Sequence, residues 1–514
     1  MTQNERISLP IWKRIIILAI TLFVFAIQIM LFVFAFQITY KYELNKIVYA
    51  LIEVLGILLV LYIIHKPILT SYKLTWAILI LLLPLPFSLL YYLNHTSKQL
   101  PKRKQKKFEG NIHKIDYDED QLNTLNSIHP SLRKHVMVLQ QNNNFEAFNN
   151  TKYTYFKDAL IKHHDLMDEL KKAEKYIFIE TFIISDGELL KELIEVLKEK
   201  GNSGVEIKII YDDLGSKRNL QQRTIKEITQ IPNCTIVNYN PLGLNINPAY
   251  NYRNHRKIVI IDGKIAYCGG DNLADEYIHK IERFGYWRDT CGKYEGEAVL
   301  GFIKLFVETW FLSTKELLDV DKYECKKHLI KANSYIVPFG DGPTDSSNIG
   351  YDLFKSLINN AEKSLYISTP YFVIDDDMIE AIVLAIKSGV DVKILMPSKP
   401  DKKSAFYLGR YNYKKILKAG GKIYEYTKGF NHAKNIIADN DAAFIGTLNM
   451  DFRSMFLHYE CGALIIKDEE INKMKEDFLN VCEESEEITY EKWKKRPFIQ
   501  KVIAYIFYLF APMF

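Results

Sequence analysis

The 514-residue chain is poor in cysteine. It has six, Cys234, Cys268, Cys291, Cys325, Cys461 and Cys482, and no C-x-x-C pair among them. These spacings argue against metal ligation by thiolates. They read instead as small buried residues in a reducing compartment. The chain also lacks a strong charge of one sign. Lys and Arg number 67 against 62 Asp and Glu, and a net charge of +5 does not by itself call for an anionic partner. No motif of a dedicated nucleic-acid module is present. The run His163-His164-Asp165 reads as a polar helix face rather than a metal site. Composition is otherwise ordinary for a globular protein, but the apolar residues are unevenly spread and concentrate at the N-terminus.

Residues 1–93 read as a membrane segment of two to three transmembrane helices. Ile15 to Gln37 is long and apolar enough to span a bilayer. It is too long for a cleaved leader and shows no small-residue cleavage site. Ile47 to Ile64 is a second candidate, broken by Glu53, which should face other helices or a polar cavity. Trp76 to Leu93 is a third, and its Pro84 and Pro86 leave open a re-entrant hairpin. If all three span, Lys41, Lys46, Lys98, Lys102, Arg103, Lys104, Lys106 and Lys107 lie on one side, eight against five on the other. The positive-inside rule then predicts a multi-pass cell-membrane protein with a cytoplasmic catalytic part. The basic run after the third segment suits anionic lipid headgroups equally well. A polar linker follows over 94–129. At the other end, Lys492, Lys494, Lys495 and Arg496 precede an apolar run to Phe514, so 491–514 reads as a basic-amphipathic, membrane-associated helix. Packing against the rest of the protein is the alternative.

Between these ends a short signature occurs twice. His255-Arg256-Lys257 leads through four apolar residues to Asp262, and His432-Ala433-Lys434 leads through Asn435-Ile436-Ile437-Ala438 to Asp439. Each copy has a Gly-rich tail with an Asn, Gly269 to Asp275 and Gly446 to Asp451. Each reads as strand, tight turn, strand. In a strand that includes the His, His and Lys would share one face. Such a pair suits phosphate chemistry. His is a nucleophile or general acid near neutral pH, and Lys neutralises phosphate oxygens and charge that builds in the transition state. With two His, one can attack phosphorus while the other protonates the leaving alcohol, without a metal or cofactor. The candidate catalytic residues are His255, Lys257, Asp262, His432, Lys434 and Asp439. A role in fixing the adjacent turn is favoured for the two Asp. Asn272, Asn449 and Thr447 are candidate phosphate-binding residues. Asp289 and Glu460, downstream in each half, are expected to fix a His tautomer and stabilise its cation. Glu180 either lines the cleft or caps a turn.

The repeat extends beyond the motif. Leu170 to Lys175 followed by Tyr176 to Phe182 matches Ile358 to Lys363 followed by Ser364 to Phe372, and each continues as amphipathic helix and apolar strand. The predicted class is α/β with mixed sheets, built as a pseudo-dimer of two homologous lobes, 130–330 and 331–490.

The paired motifs resemble those of the phospholipase D superfamily. The segments Tyr286-Trp287-Arg288-Asp289 and Gly446-Thr447-Leu448-Asn449-Met450-Asp451-Phe452-Arg453-Ser454 resemble bacterial cardiolipin synthases of that type. The resemblance implies two phospholipase D-like α-β-α lobes, one site between them and a covalent phosphatidyl-histidine intermediate. It implies that two phosphatidylglycerol molecules give cardiolipin and glycerol. Phosphatidylglycerol and anionic membrane lipid are then the partners, with no nucleic acid and no metal. Hydrolysis to phosphatidic acid uses the same residues and is the alternative; a membrane-bound nuclease is a more distant one. Asp271 departs from the pattern, because a carboxylate beside a phosphate site is unfavourable unless it faces away. Oligomeric state is not legible.

Overall fold

A computed structural model describes residues 43–66, 70–95, 123, 126–143, 145–241, 251–325, 330–345, 347–508 and 510–511. The chain divides into two compact units, 1–95 and 96–514. The expected span 15–37 and most of the polar linker lie outside the described residues.

In the first unit, α1 (Glu43–Ile64), α2 (Thr70–Leu82) and α3 (Pro84–His95) are described. The expected third span is not one helix. It breaks at Leu83, because Pro84 cannot donate to the helix before it. The rings of Trp76 and Tyr91 stand 5.2 Å apart, whereas a straight helix would separate them by about 22 Å. The chain therefore folds back as a hairpin. Among the described residues no helix is long and apolar enough to cross a membrane. Glu43, Lys46 and Glu53 divide α1 into apolar runs shorter than the roughly 20 residues a bilayer requires. Glu53 is exposed rather than turned toward a polar interior, among the exposed Leu51, Val54 and Leu55.

The second unit holds two large sheets of one topology and two short two-stranded ones. In the first half the strands are β1 (Thr151–Phe156), β2 (Tyr176–Thr181), β3 (Glu206–Asp212), β4 (Cys234–Tyr239), β5 (Ile258–Ile261), β6 (Ile265–Gly269), β7 (Tyr286–Arg288) and β8 (Cys291–Gly296). In the second they are β9 (Tyr335–Asp341), β10 (Ser364–Ser368), β11 (Phe372–Val373), β12 (Asp391–Pro397), β13 (Lys422–Tyr426), β14 (Gly429–Asn431), β15 (Asn435–Ala438), β16 (Ala442–Gly446), β17 (Met450–Asp451), β18 (Glu460–Ile466) and β19 (Ser485–Glu487). The short sheets are β11-β17 and β14-β7. The first large sheet runs β1-β8-β6-β5-β2-β3-β4 and the second runs β9-β18-β16-β15-β10-β12-β13 with β19 added at its edge. Strand for strand the directions agree. β2 and β10 each pair in parallel on one side, with β3 and β12, and antiparallel on the other, with β5 and β15. Both central strands are buried along their whole length, as expected where helices or a second sheet cover both faces.

The helices obey the same logic. In α4 (Glu188–Asn202) the buried Leu189, Leu190, Leu193, Ile194 and Leu197 recur at helical spacing. The Asp275 carboxylate, from the first Gly-rich tail, accepts the N–H groups of Glu188 and Leu189 at 2.9 and 3.0 Å and caps that helix. One apolar core joins the two sheets. It contains Phe178, Ile260 and Tyr294 of the first with Phe339, Phe444 and Leu464 of the second. The C-terminal α5 (Phe498–Tyr508) rests on the second half through Tyr508 against Tyr411, rings 4.5 Å apart. Its other side exposes Phe498, Ile499, Tyr505 and Ile506.

Candidate active site

β5 begins at Ile258 and β15 at Asn435, so His255, Lys257, His432 and Lys434 stand in the segments that lead into these strands rather than within them. Each segment is anchored by the opposite half. His255 donates its backbone N–H to the Tyr459 carbonyl at 2.8 Å, and His432 donates to Arg288 at 2.7 Å. β14 and β7 pair in parallel, and Asn254 bridges Tyr459 in the same sense. The two motifs are thereby drawn into one region at the seam of the sheets.

The carboxylates are exchanged across that seam. His255 Nδ1 lies 2.9 Å from both oxygens of Glu460. His432 Nδ1 lies 2.6 Å from Asp289 Oδ2. Both carboxylates are fully buried. At His255 an N–H donated from Nδ1 leaves the lone pair on Nε2; at His432 Nδ1 is engaged by both the Asp289 carboxylate and the Lys434 ammonium, and Nε2 is again the atom turned away from the carboxylate. Lys257 Nζ donates to the His255 carbonyl at 2.6 Å. Lys434 Nζ lies 2.8 Å from His432 Nδ1 and 3.9 Å from Asp289 Oδ2.

Burial dominates the electrostatics. It pushes both lysines down to about 8, against the pull of Glu460 on Lys257 and of Asp289 on Lys434. Burial, then Lys434, brings His432 down to about 4. Burial, then Lys257, Lys434 and His432, holds His255 well below the ordinary imidazole range. Burial alone would raise Asp289, but Lys434 and His432 together hold it below the usual carboxylate range. The site therefore sets two buried ammoniums, lowered by burial, beside neutral rings and two carboxylates, and an added anion would favour the charged form of the lysines.

The remaining predicted residues divide. Asn449 stands buried, with its amide oxygen unpartnered among the described residues. Asn272 is largely committed to the fold. Its oxygen accepts from Ile183 N–H at 3.1 Å and its amide donates to Tyr277 OH at 2.6 Å, leaving one N–H. Thr447 is fully buried, donates to Glu460 Oε2 and accepts from Cys461 N–H at 2.9 Å. Its hydroxyl therefore supports the carboxylate that holds His255. Asp262 and Asp439 stand at the far ends of β5 and β15 from the imidazoles. Asp262 accepts the N–H groups of Glu174, Lys175 and Tyr176, and Asp439 those of Glu362, Lys363 and Ser364. Both take left-handed φ, 53° and 55°, which Asp tolerates better than most residues. Each ties its hairpin to the start of β2 or β10. They bond the segment before the central strand, not the turn that follows them. Asp271 is held by Lys162 at 2.7 Å in a buried ion pair. The offending carboxylate thus has its own counter-charge, supplied by a residue 109 positions away. Glu180 is buried in β2, and burial pushes its carboxyl up to about 7 against the opposing charge of Arg256.

Sequence reasoning missed the rings that pack on the imidazoles. Phe182 stands 5.0 Å from His255, and Trp287, Tyr277 and Phe430 stand 5.5, 5.8 and 5.8 Å from His432. It also missed His458, 5.5 Å from His255. Matched strand register shows what could have found it. Gly269 opposes Cys291 as Gly446 opposes Gly462, so counting back makes Asp289 equivalent to Glu460 and Trp287 equivalent to His458. The shared Cys-Gly letters of Cys291-Gly292 and Cys461-Gly462 are offset by one position. His255, His458 and Glu460 also offer atoms within 4.8 Å of one another, the spacing of a metal site. The trio does not fit one. Arg453 Nε donates to His458 Nε2 at 3.3 Å, which leaves the ring proton on Nδ1, the atom that would have to bind.

Two sheets of equal topology, each bringing the His and Lys of one His-Lys-Asp motif to one seam, define the class: a phospholipase D-like protein. The family described as "Cardiolipin synthase, PLD-like domain" matches residues 166–281 and 354–482. Cardiolipin synthase 2 of Bacillus anthracis is 38% identical over 351 residues, 68% of each chain. Cardiolipin synthase of Halalkalibacterium halodurans is 33% identical over 449 residues, 86% of this chain and 88% of that one. The crystal structure of phosphatidylserine synthase from Haemophilus influenzae Rd KW20 shares the fold, with a TM-score of 0.57 at 16% identity over 74% of this chain and 100% of that one. The chain belongs to the cardiolipin synthase family.

Proposed function

We propose that the protein is a phosphatidyltransferase that converts two phosphatidylglycerol molecules into cardiolipin and glycerol. The observation that carries the reading is the exchange of carboxylates, which gives each imidazole a bound Nδ1 and a free Nε2 within one seam. The donor phosphate settles between Lys257 and Lys434, with Asn449 and the remaining N–H of Asn272 on its oxygens. Its negative charge offsets the two ammoniums and raises the proton affinity of the rings, so that His432 takes up a proton from solvent at Nε2 as the complex forms. His255 Nε2 attacks phosphorus. The bond to the glycerol oxygen breaks as His432 gives that oxygen its proton. A phosphatidyl group is then bonded to His255, and His432 is neutral. The hydroxyl of a second phosphatidylglycerol yields its proton to His432 and attacks phosphorus, the N–P bond breaks, and both rings return to their starting states. Glu460 and Asp289 orient the rings and stabilise each transient cation.

The lobes that carry this chemistry are 130–330 and 331–490. Residues 1–93 and the apolar side of α5 within 491–514 bring the site to the membrane that holds its substrate, with 15–37 as the spanning segment and the catalytic part on the cytoplasmic side. Purified enzyme with phosphatidylglycerol vesicles tests the reading by lipid mass analysis. Cardiolipin with equimolar glycerol is expected, and His255→Ala and His432→Ala each abolish it while the protein stays folded. Phosphatidic acid as the main product would replace transfer by hydrolysis. Near-normal cardiolipin from either variant refutes the two-histidine mechanism.

A further inference from the structure

The two half-sites match in strand register, catalytic His, Lys and carboxylate, but not in the ring packed against the imidazole. Trp287 occupies the place beside His432 and His458 the equivalent place beside His255, each with ring centroids 5.5 Å away. Trp287 brings an indole there, whose Nε1–H has no hydrogen-bond partner among the described residues, and no acceptor nitrogen that a neighbour could fix. His458 offers a dipole.

The direction of that dipole follows from its neighbours. Arg453 is always a donor, so the His458 Nε2 that it meets at 3.3 Å accepts. Burial, which acts before the raising influence of Glu460, pushes His458 down to about 3 and keeps the ring neutral. Its one proton therefore sits on Nδ1. That atom is buried and has no hydrogen-bond partner among the described residues. It faces Glu460 Oε1 at 3.7 Å. At that distance the contact is ion–dipole, and a shortening of less than about one ångström completes a hydrogen bond. The other demands on Glu460 are His255 Nδ1 on both oxygens and Thr447 Oγ1 on Oε2. Asp289, its counterpart, has the Thr290 N–H at 2.9 Å and Lys434 instead.

We infer that His458 is a positioning residue: fixed by Arg453, it directs an N–H at Glu460 and so sets the hold of that carboxylate on His255, making the two half-sites unequal. The inference rests on the reading of His255 as a reacting group. A donor on Glu460 spreads its charge and weakens its pull on the His255 Nδ1 proton. It also fixes the carboxylate from a third side. The inequality lets two similar imidazoles in one seam take different roles.

The test compares His458→Phe, which keeps a ring and removes the donor, with His458→Gln, which keeps an N–H. Full-length enzyme labelled with 15N-histidine in detergent micelles is observed by proton NMR, and the His255 Nδ1 proton is assigned by its loss in His255→Gln. In His458→Phe that resonance moves downfield, because Glu460 now pulls harder on it. The variant loses severalfold, up to about tenfold, in kcat at unchanged KM, because the carboxylate loses its third anchor and the over-stabilised phosphatidyl-histidine is resolved more slowly. His458→Gln restores both toward wild type. An unmoved resonance with wild-type kcat in His458→Phe overturns the proposal. So do equal losses in the two variants at wild-type melting temperature. A wild-type protein that forms no cardiolipin overturns the functional reading alone, since the NMR measurement does not depend on turnover.

Discussion

Asp289→Asn separates the charge of the exchanged carboxylate from its shape. The Asp289 oxygen lies 2.6 Å from His432 Nδ1, and the side chain is fully buried. A hydrogen bond to a charged group contributes about 1.5–3 kcal/mol. When His432 carries its proton, the charges stand roughly 4 Å apart, worth about 4 kcal/mol at an effective dielectric of about 20. The two figures describe one interaction and do not add. A loss of roughly 3–4 kcal/mol in the transition state is therefore expected, about 10² to 10³ in kcat. KM should change little, because Lys257, Lys434 and Asn449 remain to hold the phosphate. The assay is cardiolipin formation from phosphatidylglycerol over a substrate series, with thermal melting to confirm the fold. A loss below about threefold, or one confined to KM, refutes the idea that Asp289 stabilises the His432 cation.

Asp262→Gly tolerates the positive φ and removes three backbone hydrogen bonds; a stability loss of about 2–4 kcal/mol with kcat retained is expected, read by denaturant unfolding and initial rates. An inactive but stable variant would instead place Asp262 in the chemistry. Because burial brings Lys257 and Lys434 down to about 8, kcat/KM should fall as pH rises through about 8, as the free enzyme loses the charge that binds phosphate. The sign for stability is opposite. Depressed lysines make the folded state the weaker proton binder, so these two groups favour folding progressively as pH rises from about 8 toward the ordinary lysine value. A rate profile flat to pH 10 would contradict the buried-ammonium picture. Phe498→Asp with Ile506→Asp, on the exposed side of α5, should lower the rate of cardiolipin formation on phosphatidylglycerol vesicles severalfold without shifting the melting temperature. An unchanged rate would leave that helix without a membrane role.

Much of the architecture was legible because it rests on local pattern. The doubled His-x-Lys spacing, the apolar runs and the turn residues are read within a few positions of each other, and they foretold two mixed sheets of matching order. The favoured structural role of Asp262 and Asp439 was also legible, since Asp at a tight turn is a common hydrogen-bond acceptor, although the partners are in the segment before the central strand. What escaped depends on contacts made far along the chain. No spacing tells that Glu460 serves His255 and Asp289 serves His432. Nor does any spacing pair Lys162 with Asp271. Thr447 stands in the same Gly-rich tail as Asn449, but its hydroxyl is taken by Glu460, a contact 13 positions along the chain that the motif does not announce. The third apolar run was long enough to span, yet its prolines break it into two short helices.

The exchange of carboxylates makes each half the custodian of the other's chemistry. A fragment that keeps one motif keeps its imidazole and loses the group that aims it. Parting the sheets by a small distance disarms both histidines at once, while every strand within either sheet stays paired. Heating should therefore silence this enzyme in a single step, as the seam and the core that joins the sheets give way together.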